Sequence, residues 1–190
     1  MSDIRPVLWD EGRIRLLDQT ALPLKEVDVV CEDVDTLVDA INRLVVRGAP
    51  ALGVVGGFGV ALAIAQGERE SWDKERLQIE IARIRNARPT AVNLAWGVDQ
   101  VIDSVDKGLS KVLELAHKIA EEDEAANRQL SKNGADWILK VTGKTKLRVL
   151  THCNTGSLAT STWGTGLGII RELHSRGAID IVYADETRPL

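Results

Sequence analysis

A chain of 190 residues with 44% hydrophobic residues is long enough to bury a substantial core, as one large domain or two small ones. Its formal net charge of −4 and isoelectric point near 5.5 argue against coating nucleic acid or an anionic membrane, since both need a concentrated positive field. A local basic pocket for a small phosphate is compatible with that charge.

The first twenty residues predict a hairpin. Val7–Trp9 and Arg13–Leu17 flank Asp10-Glu11-Gly12, whose glycine supplies the positive φ of a tight connection. After Pro23, Asp33 or Asp35 can cap a helix carrying Leu37, Val38, Ile41, Leu44 and Val45 at helical spacing, with Gly48 ending it. Pro50 then opens an apolar helix. The run Ala49 to Ala65 is 17 residues long and holds four glycines, which suits a buried, closely packed helix better than a bilayer span. A third helix is expected from Ser71 to Ala87, with Leu77, Ile81 and Ile84 inward. Arg88-Pro89-Thr90 interrupts, because a residue before proline avoids the α region. A fourth helix is expected from Ala91 to Val105. Ser110 can cap a long polar-faced helix through Leu130, with a longer reading that continues past Gly134 to about Leu139.

From Gly143 the pattern changes. Leu147–Thr151 (LRVLT) and Ile179–Tyr183 (IDIVY) read as buried strands on either side of a helix from Ser157 to His174, a right-handed parallel β-α-β unit. The expected fold is therefore α+β passing into α/β. Residues 1–142 form a mainly helical domain with a small β-hairpin, and residues 143–190 begin a Rossmann-like parallel sheet. Two parallel strands cannot cover both their faces, and such sheets normally continue, so the sheet is expected to be incomplete.

Three turns carry the chemistry. Arg47-Gly48-Ala49-Pro50 joins an arginine, a glycine and a helix start, ingredients of an anion site, although ordinary helix-to-helix turns share them. In Arg88-Pro89-Thr90 the hydroxyl can cap the next helix, while Arg88 reads equally as a surface ion pair or a phosphate ligand. Thr151-His152-Cys153-Asn154-Thr155-Gly156-Ser157 follows the first parallel strand, where open α/β sheets place their ligands. A cysteine there, next to a helix start, is expected to have a lowered pKa, against the alternative of a small buried hydrophobe. Asn154, Thr155 and Gly156 lie within reach. Asp185 and Glu186, in the run Asp185–Arg188 past the second strand, would face the same crevice.

Other residues are set aside. His117 and His174 read as exposed and Cys31 as structural. Gly164-Thr165-Gly166-Leu167-Gly168 falls within the expected helix and not in a strand-to-helix turn, so it is not read as a dinucleotide fingerprint. No metal-ligand spacing is present. With two distant cysteines and a polar start, MSDIRPVLWDEG, the chain reads as cytoplasmic with free thiols.

Six segments in order resemble the methylthioribose-1-phosphate isomerase family. They are LLDQTALP (Leu16 to Pro23), VRGAPALG (Val46 to Gly53), ARPTAVNLAWGVD (Ala87 to Asp99), LTHCNTGSLAT (Leu150 to Thr160), WGTGLGIIRELH (Trp163 to His174) and VYADETRP (Val182 to Pro189). The broader group includes ribose-1,5-bisphosphate isomerases and regulatory subunits of translation initiation factor two B, which stand as alternative readings. The string at 153–156 looks like the isomerase branch.

The resemblance implies cofactor-free isomerisation of an aldose phosphate to a ketose phosphate in methionine salvage. Arg47, Gly48, Ala49 and Arg88 would bind the sugar phosphate, and Cys153 would stabilise the transition state or take part in proton transfer. The family's acidic aspartate, a glutamine and an asparagine-lysine pair have no match here. The chain is therefore expected to be an inactive amino-terminal portion, and the homodimer of the full-length family is uncertain for it.

Overall fold

The computed structural model describes residues 4–185. Strands β1 (Val7–Asp10) and β2 (Arg13–Leu17) pair antiparallel, Val7 opposite Leu16 and Asp10 opposite Arg13. Glu11 and Gly12 both take positive φ, as the tight two-residue hairpin turn demands. A third strand that the sequence did not suggest, β3 (Asp28–Cys31), pairs antiparallel with the other edge of β2. Ile14 and Leu16 point inward from β2 and are fully buried, while Arg13 and Arg15 alternate outward.

Helix α1 (Val34–Asn42) is capped by Asp33, whose side chain accepts a hydrogen bond from the Thr36 amide. It ends earlier than expected. Leu44 already has φ of 65°, so the chain turns there, and Gly48 instead stands before the next helix. That helix, α2 (Ala49–Glu70), is the axis of the main core. It is long and apolar enough to cross a membrane by length and composition, with 89% of its apolar window buried inside the fold. Its glycines explain how so much helix is enclosed. A Cβ on Gly97 of α4 (Val92–Asp99) would stand 2.8 Å from the Gly53 carbonyl carbon, so the two backbones touch where they cross.

Helix α3 (Lys74–Asn86) is capped by Asp73 and buries Ile81 and Ile84, with Leu77 half-buried. The expected fourth helix is shorter than its apolar pattern: α4 stops at Asp99 and a 3₁₀ turn, Ile102–Lys107, follows. Thr90 does not cap it, because Ala91 holds the cap position and no side chain bonds there. Nor does Ser110 cap α5, which runs unbroken over Leu109–Thr142 with Gly108 before it and Gly143, in the left-handed conformation, behind it.

Strands β4 (Leu147–Thr151) and β5 (Ile179–Ala184) are parallel, as expected. They are less covered than their composition suggests: Leu150 is 68% exposed and Tyr183 50%. The connection between them also departs from a single helix. A 3₁₀ turn (Ser157–Ala159) and an irregular buried stretch precede α6 (Gly166–Ser175). Gly164 and Thr165 therefore lie in the strand-to-helix connection, and Gly166 opens the helix. Ala135, Ile138 and Leu139 of α5 pack with Leu147, Leu173 and Ala178 in a second, smaller core, so α5 serves both cores.

Candidate functional site

Two loops meet to make one cleft. The first is the approach to α2. Arg47 is half-buried, and Gly48 has φ of 101° and ψ of 129°, a conformation that an L side chain rarely adopts. A Cβ at Gly48 would stand 2.6 Å from the Ala159 carbonyl oxygen and 2.8 Å from its methyl group. Glycine is thus demanded twice, by torsion and by contact. No side chain caps α2, so the amides of Ala49 and Ala51 have no partner within the helix, and Pro50 has no amide to offer. The positive end of a 22-residue helix opens here beside a guanidinium.

The second loop follows β4. Cys153 is exposed with φ of 71°, a strained conformation for a residue with a Cβ. The helix start expected beside it lies farther on, at Gly166, so its setting is the strained turn and the α2 terminus. The Thr155 carbonyl accepts hydrogen bonds from the amides of Thr165 (2.9 Å) and Leu167 (3.3 Å), and the Thr155 hydroxyl lies 3.3 Å from that of Thr151. These bonds fold the residue 160–165 stretch back over the cysteine turn. Gln19 supports the arrangement from beneath: it is 2% exposed, and its Nε2 donates to the Leu158 carbonyl at 2.8 Å.

The resulting cleft has a volume of about 400 Å³ and is lined by Arg47, Gly48, Ala49, Pro50, Cys153, Asn154, Ala159, Thr160 and Thr165. That is a size suited to a small metabolite. Five sequence candidates meet in it: Arg47, Gly48, Ala49, Cys153 and Asn154. Thr155 and Gly156 sit immediately behind, the first as the loop's hydrogen-bond acceptor. Arg88 is half-buried in the turn between α3 and α4 and is not among the lining residues. Asp185 lies at the end of β5, where its Oδ2 is 2.8 Å from His152 Nδ1; it is exposed and outside the lining. Glu186 lies outside the described residues.

Sequence reasoning missed Ala159, Thr160 and Thr165, because it ran a helix through them. Thr160-Ser161-Thr162, with a glycine soon after, was the signal to read, since short hydroxyl side chains compete for backbone bonds and disfavour helix interiors. Cys31, by contrast, is buried as expected, and burial pushes its thiol up to about 12. A larger groove of about 480 Å³ crosses α3 and the first 3₁₀ turn, lined by Trp72, Leu77, Ile81, Ile102 and Val105 among others. It has no cysteine, and the α3 start that it includes is already capped by the Asp73 side chain, so size alone does not make it the site.

Residues 45–190 match the model of the initiation factor 2 subunit family. The chain belongs to that family. Among its relatives, the methylthioribose-1-phosphate isomerase of Anaeromyxobacter sp. (strain Fw109-5) is 44% identical over 98% of the chain, which covers 53% of that protein. A probable bifunctional methylthioribose-1-phosphate isomerase/methylthioribulose-1-phosphate dehydratase of Nocardia farcinica is 43% identical over 99% of the chain and 34% of the relative.

Two solved structures share the architecture. Translation initiation factor eIF-2B, subunit delta, from A. fulgidus superposes with a TM-score of 0.82 at 40% identity, over 98% of this chain and 55% of that one. The 5-methylthioribose 1-phosphate isomerase from Pyrococcus horikoshii OT3 gives 0.81 at 31% identity, over 97% and 53%. The chain thus spans about half the length of these relatives, or about a third of the bifunctional one.

Proposed function

We propose that the family cleft of this chain binds methylthioribose 1-phosphate, and that the chain forms the phosphate-gripping half of an aldose-ketose isomerase. The observation that carries this reading is the pairing of an anion-binding helix start with a thiol. Arg47 and Cys153 are the two ionisable side chains among the described residues lining the cleft. The guanidinium and the Ala49 amide suit a phosphate, since an arginine can grip one through two parallel hydrogen bonds. Cys153 would then stand near the sugar carbons between which hydrogen moves. Relatives at 43–44% identity bear the isomerase name, which supports the substrate. A role for Arg88 rests on the resemblance alone.

The phosphate on the anomeric oxygen means that the ring must open with help from an acid. No carboxyl group is among the described lining residues. General acid catalysis contributes about 10²- to 10⁴-fold, so the 190-residue chain alone is expected to hold the sugar phosphate without useful turnover. Calorimetry with methylthioribose 1-phosphate should show binding that is lost in Arg47→Ala, and a product assay should show no methylthioribulose 1-phosphate. Binding that survives Arg47→Ala overturns the phosphate assignment, and clear turnover overturns the division of labour.

A second reading, a non-catalytic regulatory subunit, is favoured by the likeness to the A. fulgidus structure at 40% identity. The same calorimetry separates the two, since a regulatory subunit has no need of methylthioribose 1-phosphate. Comparing ribose 1,5-bisphosphate in parallel tests the related-isomerase alternative.

A further inference from the structure

Trp163 lies outside the cleft lining, yet it is the most heavily constrained residue near it. Its φ is 73°, in a region where a large side chain is strained. Its indole Nε1 donates to Ser131 Oγ at 2.9 Å, and the fully buried Ser131 hydroxyl in turn donates to the Asn127 carbonyl at 2.7 Å. The guanidinium carbons of Arg128 and Arg171 lie 4.3 and 3.8 Å from the ring centroid, and Arg171 also donates to the Trp163 carbonyl at 3.3 Å. These partners belong to both α5 and α6. The ring therefore ties the two helices to the stretch between them, with cation–π attraction from each side of the junction.

That stretch carries Thr160 and Thr165, which line the cleft. Its other fastenings converge on the same span: Ser161 N donates to Asp123 at 2.7 Å and Thr162 Oγ1 to the Ile4 carbonyl at 3.0 Å. Immediately after Trp163 come the Thr165 and Leu167 amides that hold the Thr155 carbonyl, and with it the strained turn at Cys153. Strain at a residue persists only where its surroundings over-determine it. Here the surroundings run through the tryptophan.

We propose that Trp163 is a positioning residue: its stacked ring locks the 160–165 stretch and so holds the Cys153 turn in its strained, cleft-facing form. The proposal builds on the sugar-phosphate reading, but its first test needs no ligand. In Trp163→Leu, hydrogen exchange of peptides covering 153–167 should accelerate at least tenfold, while peptides from α2 keep wild-type protection. Trp163→Phe keeps a ring for the guanidinium groups and should restore most of that protection. Affinity for methylthioribose 1-phosphate should fall at least tenfold in Trp163→Leu and no more than threefold in Trp163→Phe.

Unchanged exchange over 153–167 in Trp163→Leu overturns the proposal, and so does an equal loss in both variants. If the wild-type chain binds no sugar phosphate, the substrate reading fails while the exchange comparison still decides this one. Should Trp163→Leu not fold, Arg171→Met removes one stacking partner from a half-exposed position. It should then give local acceleration of threefold or more over the same peptides; none overturns the proposal.

Discussion

Gly48 packs directly against the backbone and methyl group of Ala159, so the start of α2 and the turn after β4 are built against each other with no room for a second side chain. This contact is what turns two sequence-distant loops into one cleft. Gly48→Ala would have to find room 2.6 Å from a carbonyl oxygen and also hold φ near 101°. We expect a stability loss of about 2 kcal/mol or more, read by urea denaturation. Sugar-phosphate affinity should drop at least tenfold under conditions where the variant remains folded.

The crossing of α2 and α4 makes a separate demand. Gly97→Ala places a methyl group against the Gly53 backbone, one helical turn beyond Pro50 and outside the cleft lining. Overpacking of this kind costs about 1–3 kcal/mol. The expected outcome is a lower denaturation midpoint with ligand affinity per folded molecule unchanged. A wild-type midpoint would show that the helices separate at little cost.

The two cysteines should behave oppositely. Cys153 is exposed and Cys31 has no accessible surface. Brief iodoacetamide treatment of the native chain should therefore modify Cys153 alone, as peptide mass spectrometry would read. Modification of both should require denaturant. Prior binding of methylthioribose 1-phosphate should slow the Cys153 reaction.

Cys31 also sets a stability slope at high pH. In the unfolded chain its thiol titrates near the ordinary 9.0, whereas burial raises it to about 12 in the fold. Between those values the unfolded state carries fewer protons than the folded one. Stability contributed by the neutral buried thiol is complete below pH 9 and is lost as pH rises, by up to roughly 1.4 kcal/mol per unit. Cys31→Ala should flatten that part of the curve.

Much of this was legible in the sequence, for reasons that can be named. The hairpin announced itself through Gly12 and the alternation in Arg13–Leu17, and both parallel strands through dense β-branched and apolar residues. Strand β3 was hidden because four residues, one of them Asp28, show little pattern until paired with β2. In the cleft, Arg47, Gly48 and Cys153 were visible as turn chemistry. Thr160 and Thr165 were not, because the apolar spacing of α6 can be continued back through them. The torsions of Cys153 and Trp163 come from tertiary bonds, and no local propensity encodes them.

Helix α5 has one more consequence. Its first half packs in the large core through Val112, Ala116 and Ile119, and its last turns in the small one through Ala135. Thirty-four residues without a break act as a rigid strut between them. Melting either core frees one end of the strut and withdraws support from the other, so heat should dismantle both in a single cooperative transition.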